Sequence, residues 1–200
     1  MWRESQQVRL ALLTLVLAGV AWGSWCFPGL GAVLVFDRAA ILDGEWWRLA
    51  TGPLVHFSFG HLVWDVLVFV AAGWAIAWSG FPRFGWVCAW AFVAPGLLFL
   101  ATTPELARYG GLSGPAMAAV AYLSLHHAVG TKVRSARVLW LAMLGATVAK
   151  TGWEVAYGST LFVATEGPAW RVVPAAHLVG ILGALLVFAW TWREARATRT

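Results

Sequence analysis

Six long apolar stretches are the feature that most constrains how this chain can fold. They lie roughly at residues 8–27, 53–78, 84–101, 113–129, 137–157 and 174–192, and short segments rich in Gly, Pro and charged residues separate them. As a helix, each is long enough to cross a hydrocarbon layer about 30 Å thick. The chain is 60% hydrophobic and only 12% charged, about half the charged fraction of a soluble domain. The sequence therefore predicts an all-α membrane protein, with one domain over residues 1–200 and a first helix that is retained rather than cleaved.

The basic residues are divided unequally between the two sides of such a bundle. Nine of the 14 Lys and Arg residues fall on the side that holds both termini, whereas the opposite loops carry four of them together with five acids. The positive-inside rule then places both termini in the cytoplasm and loops 28–52, 102–112 and 158–173 outside. The net charge of +5 is dispersed over tails and short loops, so it indicates a protein in contact with membrane lipid and not a nucleic-acid-binding surface.

Three polar clusters fall at the outer ends of predicted spans. The first is "HFSFGHLVWD" (residues 56–65), the second is "YGGLSGPAMA" (residues 109–118) and the third is "PAAHLVGILG" (residues 174–183). Charge-based topology and hydropathy are independent, and both bring these clusters to the same face and depth. Ionisable groups at membrane depth are expensive and are functional candidates by default.

Ser113 and His177 form the predicted chemical pair. Ser113 stands among glycines and two residues before Pro115, which predicts a serine at a helix N-terminus, where developing negative charge is favoured. His177 lies about one turn into the last span, and imidazole is the commonest base for a serine nucleophile. Taken alone, the serine also fits an ordinary N-cap and the histidine a packing residue. No acid is expected beside His177, so packing or another hydrogen bond would set its tautomer.

His61 and Asp65 are four residues apart and share one helix face. His56 precedes them and is expected nearer the interface. A metal site built from His56, His61, Asp65 and His177 is disfavoured because no histidine pair has i,i+4 spacing, so we expect neither a metal nor a cofactor.

These motifs, in this order, resemble the rhomboid family of intramembrane serine proteases. "GEWWRLATGPLVHFSFGHLVWD", "GLSG" and "AHLVGILG" carry the resemblance over roughly residues 44–190. The resemblance implies a six-transmembrane-helix bundle with Ser113 as nucleophile and His177 as base, acting on transmembrane protein substrates. It further implies that His61 and the Ser113 N–H serve the oxyanion hole, and it places His56 and Gly111 beside the substrate.

A narrower resemblance comes from "KTGWE", residues 150–154. This stretch is similar to the rhombosortase subfamily, bacterial membrane proteins thought to process exported proteins with a C-terminal Gly-Gly, helix and basic tail. It implies a bacterial inner-membrane enzyme that opens to the outer side and releases its acyl group to water or to an amine. Lys150 and Glu154 have i,i+4 spacing and can neutralise each other at membrane depth. They are expected either to line the substrate entrance or to form a structural ion pair.

Asp65 departs from the general rhomboid pattern, which has Asn at this position. An ionised carboxylate ~4 Å from the oxyanion costs about 4 kcal/mol at a dielectric of 20, as much as the loss of one oxyanion donor costs, about 2.7–4 kcal/mol. Asp65 is therefore expected either to be protonated or to pair with His61 as part of the oxyanion site. The alternatives are a rhomboid protease with other transmembrane substrates, a non-cleaving pseudo-enzyme that binds transmembrane tails, and a proton-coupled transporter.

Overall fold

Helices account for most of the chain in the computed structural model, which describes residues 2–158 and 173–197. The long helices are α1 (Trp2–Cys26), α5 (Phe59–Ser79), α6 (Phe84–Thr102), α7 (Ser113–Gly130), α8 (Arg134–Tyr157) and α9 (Pro174–Ala197). The short elements are α2 (Pro28–Leu34), β1 (Phe36–Asp37), α3 (Arg38–Leu42), α4 (Arg48–Thr51), a 3₁₀ turn (Gly52–Leu54) and β2 (Arg108–Tyr109). Residues 159–172, which make up most of the predicted outer loop 158–173, lie outside the described residues.

The long helices lie where the apolar stretches predict them, with one shifted boundary that matters for the site. α5 begins at Phe59 and not near residue 53, because Pro53 lies in the 3₁₀ turn and the chain then runs extended through Val55. Ser58 caps α5 by accepting a hydrogen bond from the His61 N–H (3.3 Å). His56 therefore lies on the segment before the helix, while His61 and Asp65 lie in its first two turns.

Four of the described helices are long and apolar enough to span a membrane: Ser5–Cys26, Phe59–Ser79, Phe84–Thr102 and Pro174–Ala197. The two remaining long helices, α7 and α8, have lower hydropathy for different reasons. α7 is central and packs against α5, α6, α8 and α9, and Ala, Gly and Ser make up much of it. α8 turns a polar stripe inward, since its buried residues are Thr147, Thr151 and Glu154. The total of six spans stays a prediction.

The segment predicted as the outer loop, residues 28–52, forms short helices and one strand and packs against the chain on both sides of the site. Its strand β1 pairs antiparallel with β2, with Phe36 opposite Tyr109, so the loop is joined to the chain just before α7. The Arg48 side chain is buried and donates to the carbonyls of Ala32 (2.7 Å) and Val35 (2.9 Å). Ser24 of α1 donates to the Leu54 carbonyl (2.8 Å). These hydrogen bonds fix the backbone that leads to His56.

The contact between α7 and α9 is unusually close because glycines form it. A Cβ atom on Gly180 would lie 2.5 Å from the Gly114 carbonyl oxygen, and one on Gly114 would lie 3.1 Å from the Ala176 carbonyl oxygen. Small residues allow two membrane helices to approach in this way. The glycines lie one residue after Ser113 and three after His177, so this packing sets the distance between those two side chains.

We predict that Gly180→Ala destabilises the bundle. The added methyl group would lie too close to the Gly114 carbonyl oxygen, and backbone, unlike a side chain, cannot adopt another rotamer to make room. Overpacking of this kind costs about 1–3 kcal/mol. The free energy of unfolding, measured by SDS titration in mixed micelles, should fall. Gly145→Ala on α8 is the matched control, because nothing lies within 4 Å of its Cβ position, and it should unfold no more easily than the parent. Equal effects of the two substitutions would contradict the close-packing explanation.

Candidate active site

Ser113 and His177 face each other at the beginnings of two adjacent helices. Ser113 is the first residue of α7 and His177 lies in the first turn of α9. The Ser113 Oγ and His177 Nε2 atoms are 2.8 Å apart, within hydrogen-bond distance. Gly111 makes the turn into α7 with φ +116, a left-handed backbone conformation that favours glycine. The structure thus brings together the hydroxyl and imidazole that the sequence pairs.

The second nitrogen of His177 also has a partner. Its Nδ1 atom lies 2.7 Å from the Oε2 atom of Glu154 on α8. The expectation that no acid stands beside His177 is wrong. Sequence reasoning missed this contact because 23 residues separate the two side chains, so only the packing of α8 against α9 brings them together. The sequence offers one indication of it, an acid in an otherwise apolar stretch, but the i,i+4 spacing indicated only Lys150 as the partner of that acid.

The Lys150–Glu154 pair has the predicted i,i+4 contact. Lys150 Nζ lies 2.5 Å from Glu154 Oε1, and the lysine side chain is 18% exposed whereas that of the glutamate is fully buried. The two oxygens of Glu154 therefore have different partners, a lysine on one side and His177 on the other. The side chain of Glu154 is fully buried between these two partners, whereas that of Lys150 keeps an accessible surface.

His56, His61 and Asp65 form a second polar cluster. The Asp65 Oδ2 atom lies 3.1 Å from His56 Nε2 and 3.0 Å from His61 Nε2, and the two rings meet edge to face at 5.2 Å. All three residues are buried, and the expected position of His56 nearer the membrane interface stays a prediction. The carboxyl group of Asp65 joins both imidazoles.

The position of one proton distinguishes two arrangements of this cluster. The backbone N–H of Leu112 donates to His56 Nε2 (3.2 Å), the same nitrogen that contacts Asp65. One imidazole nitrogen cannot accept from Leu112 and donate to Asp65 at once. Either Asp65 carries the proton, or the Leu112 contact is secondary and His56 donates to an ionised carboxylate. The first is the protonated form expected from the sequence. The second pairs the ionised carboxylate with His56, whereas the sequence pairs it with His61, which lies 3.0 Å from the same oxygen.

Backbone contacts connect this cluster to the nucleophile. Leu112 immediately precedes Ser113, and a Cβ atom on Gly111 would lie 2.6 Å from His61 Cε1 and 3.5 Å from Asp65 Oδ2. The ring of His61 thus packs directly on the turn that leads into α7. Any group that reacts with Ser113 lies close to the N-terminal amides of α7, where the helix dipole favours negative charge.

Tyr109, which lies just before this turn, is buried against Phe36 and Phe99. Burial raises the pKa of its phenol. The hydroxyl therefore keeps its proton at neutral pH. Within the described ranges this hydroxyl has no hydrogen-bond partner.

The described residues offer no group of three or more His, Cys, Asp or Glu side chains arranged to hold a metal ion. The chemistry available in this part of the chain is that of a hydroxyl, an imidazole and carboxylates. That arrangement suits acyl transfer through a serine, because a base contacts the hydroxyl and free helix amides lie beside it.

The model of the rhomboid domain matches residues 43–194, a range that includes all three polar clusters. A comparison with curated proteins finds no match.

We predict that Asp65→Leu destabilises the protein more than Asp65→Asn. Leucine leaves two buried imidazoles without the oxygen that contacts them, and a buried polar group that loses its partner costs about 1–3 kcal/mol. Asparagine keeps one oxygen acceptor and nearly the same volume. Thermal unfolding in detergent micelles should therefore rank the parent first, Asp65→Asn second and Asp65→Leu last. A leucine variant as stable as the parent would contradict a joining role for this carboxyl group.

Proposed function

This chain belongs to the rhomboid family, whose members are generally intramembrane serine proteases, and from that premise we propose that it cleaves peptide bonds with Ser113 as nucleophile and His177 as base. The observation that carries the proposal is the 2.8 Å contact between Ser113 Oγ and His177 Nε2. A hydroxyl that contacts an imidazole at a helix N-terminus has both the base and the electrostatic environment that acyl transfer needs.

The proposed reaction has two halves. In the first, Ser113 Oγ attacks the substrate carbonyl carbon while His177 Nε2 takes the hydroxyl proton. The charge that develops on the carbonyl oxygen is stabilised by the Ser113 N–H and by the His61–Asp65 side of the site. His177 then gives its proton to the leaving amine. In the second half, water or an external amine attacks the acyl-enzyme and Ser113 recovers its proton.

We propose a substrate of the rhombosortase type, an exported protein with a C-terminal Gly-Gly, helix and basic tail. The support is the resemblance of "KTGWE" and the position of Lys150, which keeps an exposed part of its side chain next to the catalytic pair. Gly111 lies in the turn before Ser113, and His56 Nε2 contacts the Leu112 backbone nitrogen of that turn (3.2 Å), so we assign both to the region that receives the glycine backbone. Glycines suit this position because a strand without side chains can approach a narrow site closely.

We further propose that the protein lies in a bacterial inner membrane with both termini cytoplasmic and the site near the outer face. Exposed tryptophans occur at both ends of the bundle, as expected for residues at the two interfaces. At the end near the site, exposed tryptophans include Trp22, Trp25, Trp46 and Trp47. At the opposite end, near Arg83 and Arg193, they include Trp78, Trp86, Trp190 and Trp192. The Arg83 guanidinium stacks over Trp190 and pairs with Glu194 (2.6 Å).

This orientation predicts the behaviour of alkaline phosphatase fusions, since the phosphatase is active only after export. A fusion joined after Glu105 should be active because that loop lies outside, and a fusion joined after Thr200 should be inactive. Enzyme activity per unit of fusion protein in whole cells is the measurement, with immunoblotting to normalise expression. The reverse pattern would overturn the proposed topology.

The proposed catalytic pair predicts that Ser113→Ala abolishes processing. Co-expression with an exported reporter that carries a Gly-Gly tail should yield a shortened reporter with the parent enzyme. The variant should be slower by at least about 10³-fold, since the nucleophile is lost. Ser124→Ala is the matched control: Ser124 is buried on the same helix and its hydroxyl has no partner among the described residues, so its loss should leave processing unchanged.

Mass spectrometry of the new reporter C-terminus separates the two acceptors, because a free carboxyl group indicates water and an amide indicates an amine. Retained processing in Ser113→Ala would refute the proposed nucleophile. A parent protein that does not cut, beside an Asp65→Asn variant that does, would support a non-cleaving protein that binds tails.

A further inference from the structure

Among the described residues, Glu154 is the acid that contacts the proposed base. Its residue is 1% exposed, its Oε2 atom lies 2.7 Å from His177 Nδ1 and its Oε1 atom lies 2.5 Å from Lys150 Nζ. Removing an ionised carboxylate from water is costly unless charged and hydrogen-bonding partners replace the lost hydration. Both oxygens of Glu154 have such a partner, so the position is built to hold a charged carboxylate beside the imidazole.

We infer that Glu154 is a positioning residue for His177, which makes the site a triad of Ser113, His177 and Glu154; the inference rests on the proposed function of the serine–histidine pair. A carboxylate accepts hydrogen bonds only, so the His177 nitrogen that faces it carries the proton. His177 Nε2 then presents its lone pair to the Ser113 hydroxyl, which is the tautomer that a general base needs. The carboxylate also stabilises the imidazolium that forms when the proton is taken.

The inward face of α8 supports this role independently. The buried residues of this helix are Thr147, Thr151 and Glu154, spaced so that they form a single stripe on the side that packs against α7 and α9. The two threonines satisfy their hydroxyls locally, Thr147 on the Met143 carbonyl and Thr151 on the Thr147 carbonyl. Glu154 alone of the three directs a polar atom, Oε2, to a neighbouring helix, where it contacts His177.

Lys150 has a secondary part in this arrangement. It lies one turn before Glu154 on the same helix and pairs with the oxygen that His177 does not use. A positive charge at that oxygen keeps the carboxylate ionised, because the neutral acid would lose the ion pair. Lys150→Met should therefore weaken the contact between Glu154 and His177 without removing it, and its effect on turnover should be smaller than that of a change at Glu154 itself.

The test compares Glu154→Gln with Thr151→Val and the parent. Glutamine has the shape of glutamate, but it has no charge and can donate from its amide nitrogen to His177 Nδ1, which favours the wrong tautomer. We expect kcat on a Gly-Gly-tailed reporter to fall by at least about 10²-fold, with KM within about twofold of the parent. Thr151→Val changes the same buried stripe one turn earlier, but does not touch His177, and should keep the parent kcat.

A second measurement is made on the parent protein and does not depend on whether Glu154→Gln folds. In the parent protein, proton NMR with ¹⁵N-labelled histidine should show a strongly downfield Nδ1–H signal that His177→Ala removes. Absence of this signal in the folded parent would overturn the inference. So would a Glu154→Gln variant with the parent kcat, or a rise in KM with kcat unchanged, which would instead make Glu154 a substrate contact.

The outcomes also separate this inference from the proposed function. If Ser113→Ala is inactive and Glu154→Gln has the parent kcat, only the positioning role fails. If Ser113→Ala still processes the reporter, the proposed nucleophile fails whatever Glu154 does.

Discussion

The near-contact of α7 and α9 is the constraint on which the rest of this molecule depends. Gly114 and Gly180 let the two backbones approach until the Gly114 carbonyl oxygen lies 2.5 Å from the place that a Cβ atom on Gly180 would occupy. This packing supports the 2.8 Å distance between Ser113 Oγ and His177 Nε2, because both side chains leave their helices within three residues of the glycines. Van der Waals packing of the two helices therefore holds the Ser113 and His177 side chains at this distance.

Each of the two polar clusters in the described part of the bundle is built around one carboxyl group. Asp65 joins His56 and His61, while Glu154 joins Lys150 and His177. In both clusters one carboxyl group has two nitrogen partners, which offsets the cost of removing it from water. The Asp65 cluster contacts the turn that precedes Ser113. The Glu154 cluster includes His177, the proposed base. The apolar bundle tolerates six ionisable side chains near its serine for this reason.

Much of this could be predicted from the sequence, and the failures have a common physical origin. Length and hydropathy located the long helices, and the glycines and proline around Ser113 predicted a serine at a helix start, since these are local properties of the chain. The spacing of Lys150 and Glu154 predicted their ion pair for the same reason. The contact of Glu154 with His177 was missed because it depends on how two helices pack, and so was the burial of His56, which depends on the ordered segment from Pro28 to Leu54. Hydropathy likewise undervalues α7 and α8, whose inner faces meet protein and not lipid.

The side chains of Ser113, Glu154 and His177 come from α7, α8 and α9, which follow one another in the chain. His177 is 64 residues from Ser113 and 23 from Glu154, so the group that connects them is also the last to leave the ribosome. Under the proposed function, a nascent chain that has inserted α7 and α8 holds Ser113 without its base, and the pair assembles only when α9 packs against α7 at Gly114. The order of synthesis thus delays the assembly of the catalytic pair until α9 is in place.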